Sequence, residues 1–103
     1  MSNGAASPWT DVLTVTIERE LVIPNKEGLH FRPIMQFVDT AQRFTADVTV
    51  KCEGREADGR SPMELLMLVA TYGTKVRLVV DGSDAQAALE ALATLIESGF
   101  GET

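Results

Sequence analysis

The chain has 103 residues, of which 45% are hydrophobic and 23% charged, and its formal net charge is −6 with histidine neutral. This length can bury one core but excludes a nucleotide-binding domain joined to a second domain. The acidic balance disfavours nonspecific binding to nucleic acid or to anionic membrane surfaces, and no apolar run is long enough to span a membrane. We therefore expect protein partners.

The first elements in chain order are a tail and a strand. Residues 1–12 are mostly small or polar and lack the basic and apolar regions of a signal peptide. We expect them to form a flexible N-terminal tail before a single domain over residues 13–100. From Leu13 to Ile23 apolar residues alternate with polar ones, apart from a charged stretch, which predicts that the domain begins with a half-buried strand.

A loop over residues 24–28 precedes the first predicted helix, which we place at residues 31–43. Pro33 falls in its first turn, where the missing N–H costs little. Apolar residues then recur at helical spacing and predict the buried face. These residues are Ile34, Phe37 or Val38, Ala41 and Phe44.

Alternation over residues 46–52 predicts a second strand, and the turn at 53–55 predicts a short third strand near residues 56–57. Cys52 lies on the apolar face of the second strand. As the only cysteine it cannot form an internal disulfide, which favours a reducing, cytoplasmic location. One cysteine and one histidine far apart match no metal-ligand spacing, so we predict neither a metal nor a cofactor.

Capping signals open two further predicted helices. Residues 61–64, Ser-Pro-Met-Glu, form a capping box with proline at the first helical position, so this helix should begin at Pro62 and end before Gly73. Residues 83–86, Ser-Asp-Ala-Gln, form a second capping box for a helix that Gly99 ends. Between these helices the residues Val76, Leu78 and Val80 predict a fourth strand, and Ala85, Leu89, Leu92 and Ile96 are predicted to be the buried face of the last helix.

The predicted order is therefore β-α-β-β-α-β-α. Strands of this kind form an antiparallel sheet with an apolar face that helices must cover, which is a two-layer α+β sandwich. The pattern alone leaves other split β-α-β arrangements open.

The only histidine, His30, lies where the loop meets the first helix, in Gly28-Leu29-His30-Phe31-Arg32-Pro33. A helix N-terminus offers free backbone N–H groups and the positive end of the helix dipole, both of which favour an anion. Histidine can be a neutral nitrogen nucleophile near neutral pH, and Arg32 adds a charged donor fork suited to phosphate oxygens. The pattern favours a phosphoryl-carrying site, although a capping or surface histidine and a solvated arginine are the simpler alternatives.

These residues resemble the Gly-Leu-His-x-Arg-Pro signature of HPr, the histidine-containing phosphocarrier family of the phosphoenolpyruvate-dependent sugar phosphotransferase system (PTS). The resemblance runs from about Thr14 to Ser98. It selects the HPr-like open-faced two-layer β-sandwich, a four-stranded antiparallel sheet covered on one face by three helices.

The resemblance also implies a function. His30 would accept a phosphoryl group on Nδ1, not on Nε2, from phosphoenolpyruvate-charged Enzyme I and donate it to IIA-type proteins. Arg32 would stabilise the phosphate. The protein would be a carrier, not an enzyme with its own turnover, and we expect a monomer.

The helix predicted at residues 62–72 is too apolar for a single buried stripe. If Leu65, Leu68 and Val69 face inward, Met63 and Leu66 face outward, and an exposed apolar patch of this kind typically binds a partner.

The resemblance implies that Met63 and Leu66, with Phe31 and Met35, contact Enzyme I and the IIA domains. Phe31 stands where the family commonly has alanine or threonine, which suggests altered partner choice. Two alternatives remain open: Phe31 packs against the second helix, or the chain is an HPr-like regulatory module that acts only through this surface.

Ser61 corresponds to the regulatory phosphorylation site of the family, which implies an HPr kinase/phosphorylase as a further partner. Its predicted capping role alone would explain a serine here. Pro62 and Glu64 depart from the common pattern, and Glu64 would repel a phosphoserine.

Another departure from the family pattern is Glu27, three residues before His30, which either faces the histidine or points to solvent.

Overall fold

The computed structural model describes residues 15–102. The predicted tail, and the start of the first predicted strand at residues 13–14, lie outside the described residues. Within them the elements follow the order β-α-β-β-α-β-α, with a short segment of 3-10-type hydrogen bonding at the end whose residues have positive φ angles and which is therefore not a regular helix. The bounds are β1 Thr16–Val22, α1 Phe31–Ala41, β2 Asp47–Cys52, β3 Arg55–Asp58, α2 Pro62–Met67, β4 Lys75–Asp81, α3 Ala85–Glu97 and the 3-10-type segment Gly99–Gly101.

The four strands form one antiparallel sheet in the order β1-β4-β2-β3. In β4, Val76, Leu78 and Val80 are buried, whereas Lys75 and Arg77 are exposed. Because successive strand residues point to opposite faces, the sheet has one apolar and one polar face. The helices cover the apolar face, so the predicted α+β fold is confirmed.

The core lies between this apolar face and the three helices. Burial of each large apolar side chain contributes about 1.5–3 kcal/mol relative to exposure, so these helix faces supply much of the stabilisation. The buried positions predicted for α1 and α3 are confirmed, Phe44 being partly buried. The helical core residues are Ile34, Phe37, Val38, Ala41, Leu65, Ala85, Ala88, Leu89, Leu92, Ala93 and Ile96.

Helix α2 ends earlier than predicted, at Met67 instead of just before Gly73. Val69 has a φ of +53°, in the left-handed region, which takes the chain out of the helix. The carbonyl of Ala70 then accepts a hydrogen bond from the amide of Leu29 at 2.8 Å. The prediction that Val69 faces inward is therefore wrong: its side chain is 60% exposed, whereas Leu65 and Leu68 are buried as predicted.

The prediction of a capping box at residues 83–86 is also wrong. Helix α3 begins at Ala85 with Asp84 as its N-cap residue, and Asp84 makes no side-chain capping bond. Its carboxylate instead accepts hydrogen bonds from the amides of Thr45 and Ala46, at 2.9 and 2.8 Å. The carboxylate therefore joins the start of α3 to the entry of β2.

Helix α1 ends at Ala41, two residues before the predicted end. The amides of Arg43 and Phe44 bond to the carbonyls of Thr40 and Ala41, so the last turn tightens to three-residue spacing. Among the helices of residues 15–102, none is both long and apolar enough to cross a membrane.

Candidate functional site

His30 is the N-cap residue of α1, with extended backbone angles. Its carbonyl accepts the first helical bond, from the amide of Ile34 at 3.0 Å, while its side chain makes no capping bond. The imidazole is 38% exposed. The backbone therefore holds His30 firmly at the start of the helix and leaves part of its ring open to a partner.

The loop before His30 is held against the chain that leaves α2. Gly28 has a φ of +70°, and a Cβ atom there would lie 2.8 Å from the carbonyl oxygen of Ala70 and 2.9 Å from the Cα of Thr71. Only glycine suits both this angle and this close approach. The next amide, of Leu29, bonds to Ala70. The glycine of the signature is thus needed for the position of the loop.

The start of α1 is suited to an anion. An α-helix leaves its first amides without intrahelical partners, which here applies to Phe31 and Arg32, whereas Pro33 has no N–H to leave unpaired. The side chain of Arg32 is exposed, and no residue within 31–34 is acidic. Two backbone N–H groups, the helix dipole and one guanidinium therefore lie within one turn of His30.

A carboxylate that sequence reasoning missed lies against the histidine. The Nε2 atom of His30 is 2.9 Å from Oε2 of Glu102, whose side chain is 15% exposed. The Nδ2 group of Asn25 donates to the other oxygen of this carboxylate at 2.9 Å, and also to the carbonyl of Gly28 at 2.8 Å. Glu27, the acidic residue considered from the sequence, is exposed, and within residues 15–102 it makes no hydrogen bond to His30.

The surroundings of Glu102 favour its charged form. The hydrogen bond from Asn25 lowers the pKa of this carboxyl below its usual range, and the contact with His30 and the positive charge of Arg32 lower it further. Partial desolvation of the carboxyl group raises its pKa, but these contacts together lower it by more. The group beside His30 is therefore an ionised acceptor at neutral pH.

Three consecutive left-handed residues turn the chain after α3 and bring Glu102 to the site. Gly99, Phe100 and Gly101 have φ values of +69°, +56° and +73°. The Phe100 side chain is buried in the core and anchors this turn. An isolated phenylalanine between two glycines was the available signal that the end of the chain folds back. The partner of Glu102 could not be read from it.

The exposed apolar surface includes three of the four predicted partner-binding residues. Phe31, Met63 and Leu66 are 72%, 68% and 50% exposed, and Met35 is partly buried. The alternative in which Phe31 packs against α2 is therefore wrong. Sequence reasoning missed the further exposed residues Met67, Val69 and Tyr72.

Ser61 is the N-cap residue of α2, and its hydroxyl accepts a hydrogen bond from the amide of Glu64 at 3.3 Å. Only this half of the predicted capping box forms. The carboxylate of Glu64 accepts from the amide of Asp58 instead, at 2.9 Å. The residue therefore has a capping role, and an acidic side chain lies in the same turn.

Residues 15–102 contain no group of three or more histidine, cysteine, aspartate or glutamate side chains placed to hold a metal ion. Cys52 is buried on the apolar face of β2, and burial raises the pKa of its thiol. The thiol is therefore a small core group.

Comparison with known proteins decides the family. The model of the family "PTS HPr component phosphorylation site" matches residues 17–98. The chain belongs to the HPr family. HPr proteins are phosphocarriers of the PTS, and the HPr fold expected from the sequence is the one observed.

Individual HPr relatives agree along most of the chain. A phosphocarrier protein HPr from Xylella fastidiosa strain 9a5c is 38% identical over 86 residues, which are 84% of this chain and 97% of that protein. The HPr-like protein Crh of Bacillus subtilis is 37% identical and matches 79% of this chain and 95% of its own length. A crystal structure of HPr-C-His from Thermoanaerobacter tengcongensis superposes with a TM-score of 0.82 at 38% identity, covering 84% of this chain and 98% of that one.

Proposed function

We propose that this HPr-family protein accepts a phosphoryl group on His30 from phosphoenolpyruvate-charged Enzyme I and donates it to IIA-type proteins. The observation that carries the proposal is the position of the imidazole, partly exposed at the N-terminus of α1 beside two unpaired amides. The imidazole can accept a phosphoryl group there without breaking a backbone hydrogen bond of His30.

The reaction is a pair of displacements at phosphorus. In the first, the lone pair of Nδ1 forms the N–P bond while the donor's bond to phosphorus breaks. In the second, a nucleophile of the acceptor attacks phosphorus and the N–P electrons return to the ring. The chain ends as it began, so it is a carrier between two proteins without turnover of its own.

Several groups would stabilise the transferred phosphate. The amides of Phe31 and Arg32 and the guanidinium of Arg32 can bind its oxygens. Because the chain has a net charge of −6, this local positive potential must oppose an unfavourable overall field. Arg32 is therefore the side chain with the largest proposed effect on phosphoryl affinity after His30 itself.

The apolar patch formed by Phe31, Met35, Met63 and Leu66 would dock both Enzyme I and the IIA domains. Its exposed members lie on α1 and α2, and Phe31 directly follows the histidine. Contiguous exposed apolar side chains are typical of protein interfaces. One patch for donor and acceptor would make their binding mutually exclusive, which suits a carrier that is monomeric and free in the cytoplasm.

A second candidate function is an HPr-like regulatory module that binds proteins through this patch without carrying phosphate. The number of exposed apolar residues favours it, since Met67, Val69 and Tyr72 are exposed in addition to the predicted residues. Phosphorylation of Ser61 by an HPr kinase/phosphorylase would add a second regulatory input, although Glu64 in the same turn opposes an added phosphate.

A two-step relay assay tests the proposal. Radiolabelled phosphoenolpyruvate and Enzyme I should label the protein, and purified labelled protein should then pass the label to members of a IIA panel. The H30A variant should leave all label on Enzyme I. If Enzyme I proteins that charge other HPr carriers never label this chain, while it still binds PTS proteins in a patch-dependent manner, the regulatory function replaces the carrier function.

A further inference from the structure

We propose that Glu102 is a positioning residue that fixes the tautomer of His30, holding the ring proton on Nε2 and so keeping Nδ1 free as the phosphoryl acceptor. The inference rests on the proposed function for its consequence in transfer. Its structural part, the location of the proton, concerns the unphosphorylated protein alone.

An ionised carboxylate accepts hydrogen bonds and cannot donate them. The 2.9 Å contact between Oε2 of Glu102 and Nε2 of His30 therefore requires a proton on Nε2. In the neutral ring the other nitrogen, Nδ1, then carries the lone pair. Glu102 thus selects which nitrogen can attack phosphorus.

Asn25 fixes Glu102 in this role. Its side chain is 2% exposed, and its Nδ2 group donates both to the Gly28 carbonyl and to Oε1 of Glu102. Rotating the amide by half a turn would place its oxygen against two acceptors. The orientation of Asn25 is therefore fixed. Its Nδ2 group needs an acceptor atom on residue 102, and Oε1, the oxygen that does not contact His30, is that acceptor.

The same proton serves both directions of transfer. On acceptance, the N–P bond forms at Nδ1 and the Nε2 proton stays in place, so the ring becomes positively charged beside the Glu102 carboxylate. On donation, the N–P bond breaks, its electron pair returns to Nδ1, and the ring leaves as a neutral imidazole that still carries the Nε2 proton. Without that proton the leaving group would be an anionic imidazolate, which is a far poorer leaving group.

Other charged groups near the pair do not take over this role. Arg32 acts on Glu102 through its charge, and Lys26 and Glu27 line the same surface depression as Glu102. Within residues 15–102, only Glu102 among them is hydrogen-bonded to the ring. A distant charge can alter the field at His30, but a directed acceptor is needed to select one nitrogen.

The test is the near-isosteric variant E102Q. Asn25 will bind the side-chain oxygen of the glutamine, so the amide NH2 will face Nε2 and donate to it. The ring proton then moves to Nδ1. Long-range ¹H–¹⁵N correlation spectra of the neutral ring are unambiguous because the chain has one histidine. The wild type should show the Nε2–H tautomer and E102Q mainly the Nδ1–H tautomer, with phosphoryl acceptance slowed at least about tenfold.

Two controls complete the experiment. E27Q removes the same charge from an exposed neighbour and should keep the Nε2–H tautomer. In the double variant N25A/E102Q the glutamine is free to accept a hydrogen bond from Nε2–H, so this variant should return to the Nε2–H tautomer. An E102Q protein that keeps the wild-type tautomer and acceptance rate overturns the proposal, as does a double variant that stays in the Nδ1–H form. If no phosphoryl donor phosphorylates the chain, the tautomer can still be measured in the unphosphorylated protein. Failure of the proposed carrier function is therefore distinguishable from failure of the proposed role of Glu102.

Discussion

The amide of Leu29 donates a 2.8 Å hydrogen bond to the carbonyl of Ala70, which joins the loop before His30 to the segment that follows α2. Gly28 makes this contact possible, because any Cβ there would be less than 3 Å from that segment. The position of the histidine thus depends on the packing of two chain segments that are distant in sequence.

Replacing Gly28 with alanine should therefore cost about 3 kcal/mol or more of unfolding free energy, from left-handed strain and from the collision together. Gly54 has a φ of +82°, but a Cβ atom there would have no neighbour within 4 Å, so G54A should cost only about 1 kcal/mol. Urea titration of both variants checks the difference. Equal costs would show that the loop moves away freely from Ala70.

Neighbouring leucines on α2 should behave in opposite ways. Leu65 is fully buried, so L65A should cost about 2–5 kcal/mol. Leu66 is half exposed, so L66E should change stability by less than about 0.5 kcal/mol while weakening partner binding at least about tenfold. Thermal unfolding and titration calorimetry with Enzyme I separate the two effects. An L66E protein that unfolds, or that binds normally, would remove Leu66 from the docking surface.

Two serines test the capping assignments. Ser61 accepts the amide of Glu64, so S61A should lower the unfolding free energy by about 1 kcal/mol. Ser83 occupies the predicted capping position of α3, but the helix starts at Ala85 with Asp84 as its cap. S83A should therefore change stability by less than about 0.5 kcal/mol. Chemical denaturation in which S83A costs as much as S61A would mean that Ser83 caps α3 after all, and an S61A protein as stable as wild type would contradict the capping role of Ser61.

Asp84 should make part of the stability dependent on pH. The amide of Thr45, with a further contribution from Ala46, lowers the pKa of this carboxyl in the folded state. A depressed folded pKa stabilises the protein above the unfolded value of about 3.9, and this contribution is lost as pH falls through the folded value. D84N should thus lower the unfolding midpoint by several degrees at neutral pH, and the gap to wild type should narrow in acid.

The exposed Asp39 of α1 provides the matched control for D84N. D39N should unfold within a degree or two of wild type at every pH. A constant gap between D84N and wild type down to about pH 2 would mean that the amide contacts act through shape alone.

Local pattern was enough for most of the fold. Alternation located the strands around Val48 and Leu78, and helical spacing located the buried faces of α1 and α3. These periodicities are determined by which face must be apolar, so they can be read directly from the sequence. The signature at His30 likewise lies in one short stretch.

What failed were features determined by distant contacts. Val69 leaves the helix in a left-handed conformation, and the next residue meets Leu29, which no local propensity indicates. The carboxylate of Asp84 accepts hydrogen bonds from amides 38 and 39 residues away, although the local motif predicted a capping box. Glu102 and His30 are 72 residues apart, so the second half of the site depended on the fold.

The most direct test of the carrier function is intact mass spectrometry after incubation with phosphoenolpyruvate and Enzyme I, with and without brief acid treatment. The wild type should gain the mass of one phosphoryl group and lose it in acid, as a phosphohistidine does. H30A should gain none while remaining folded, with a loss of only about 1 kcal/mol of unfolding free energy, because the His30 side chain caps nothing and its one side-chain hydrogen bond in residues 15–102 is to Glu102. A phosphate that survives acid, or that H30A still acquires, would contradict the assignment of His30 as the acceptor.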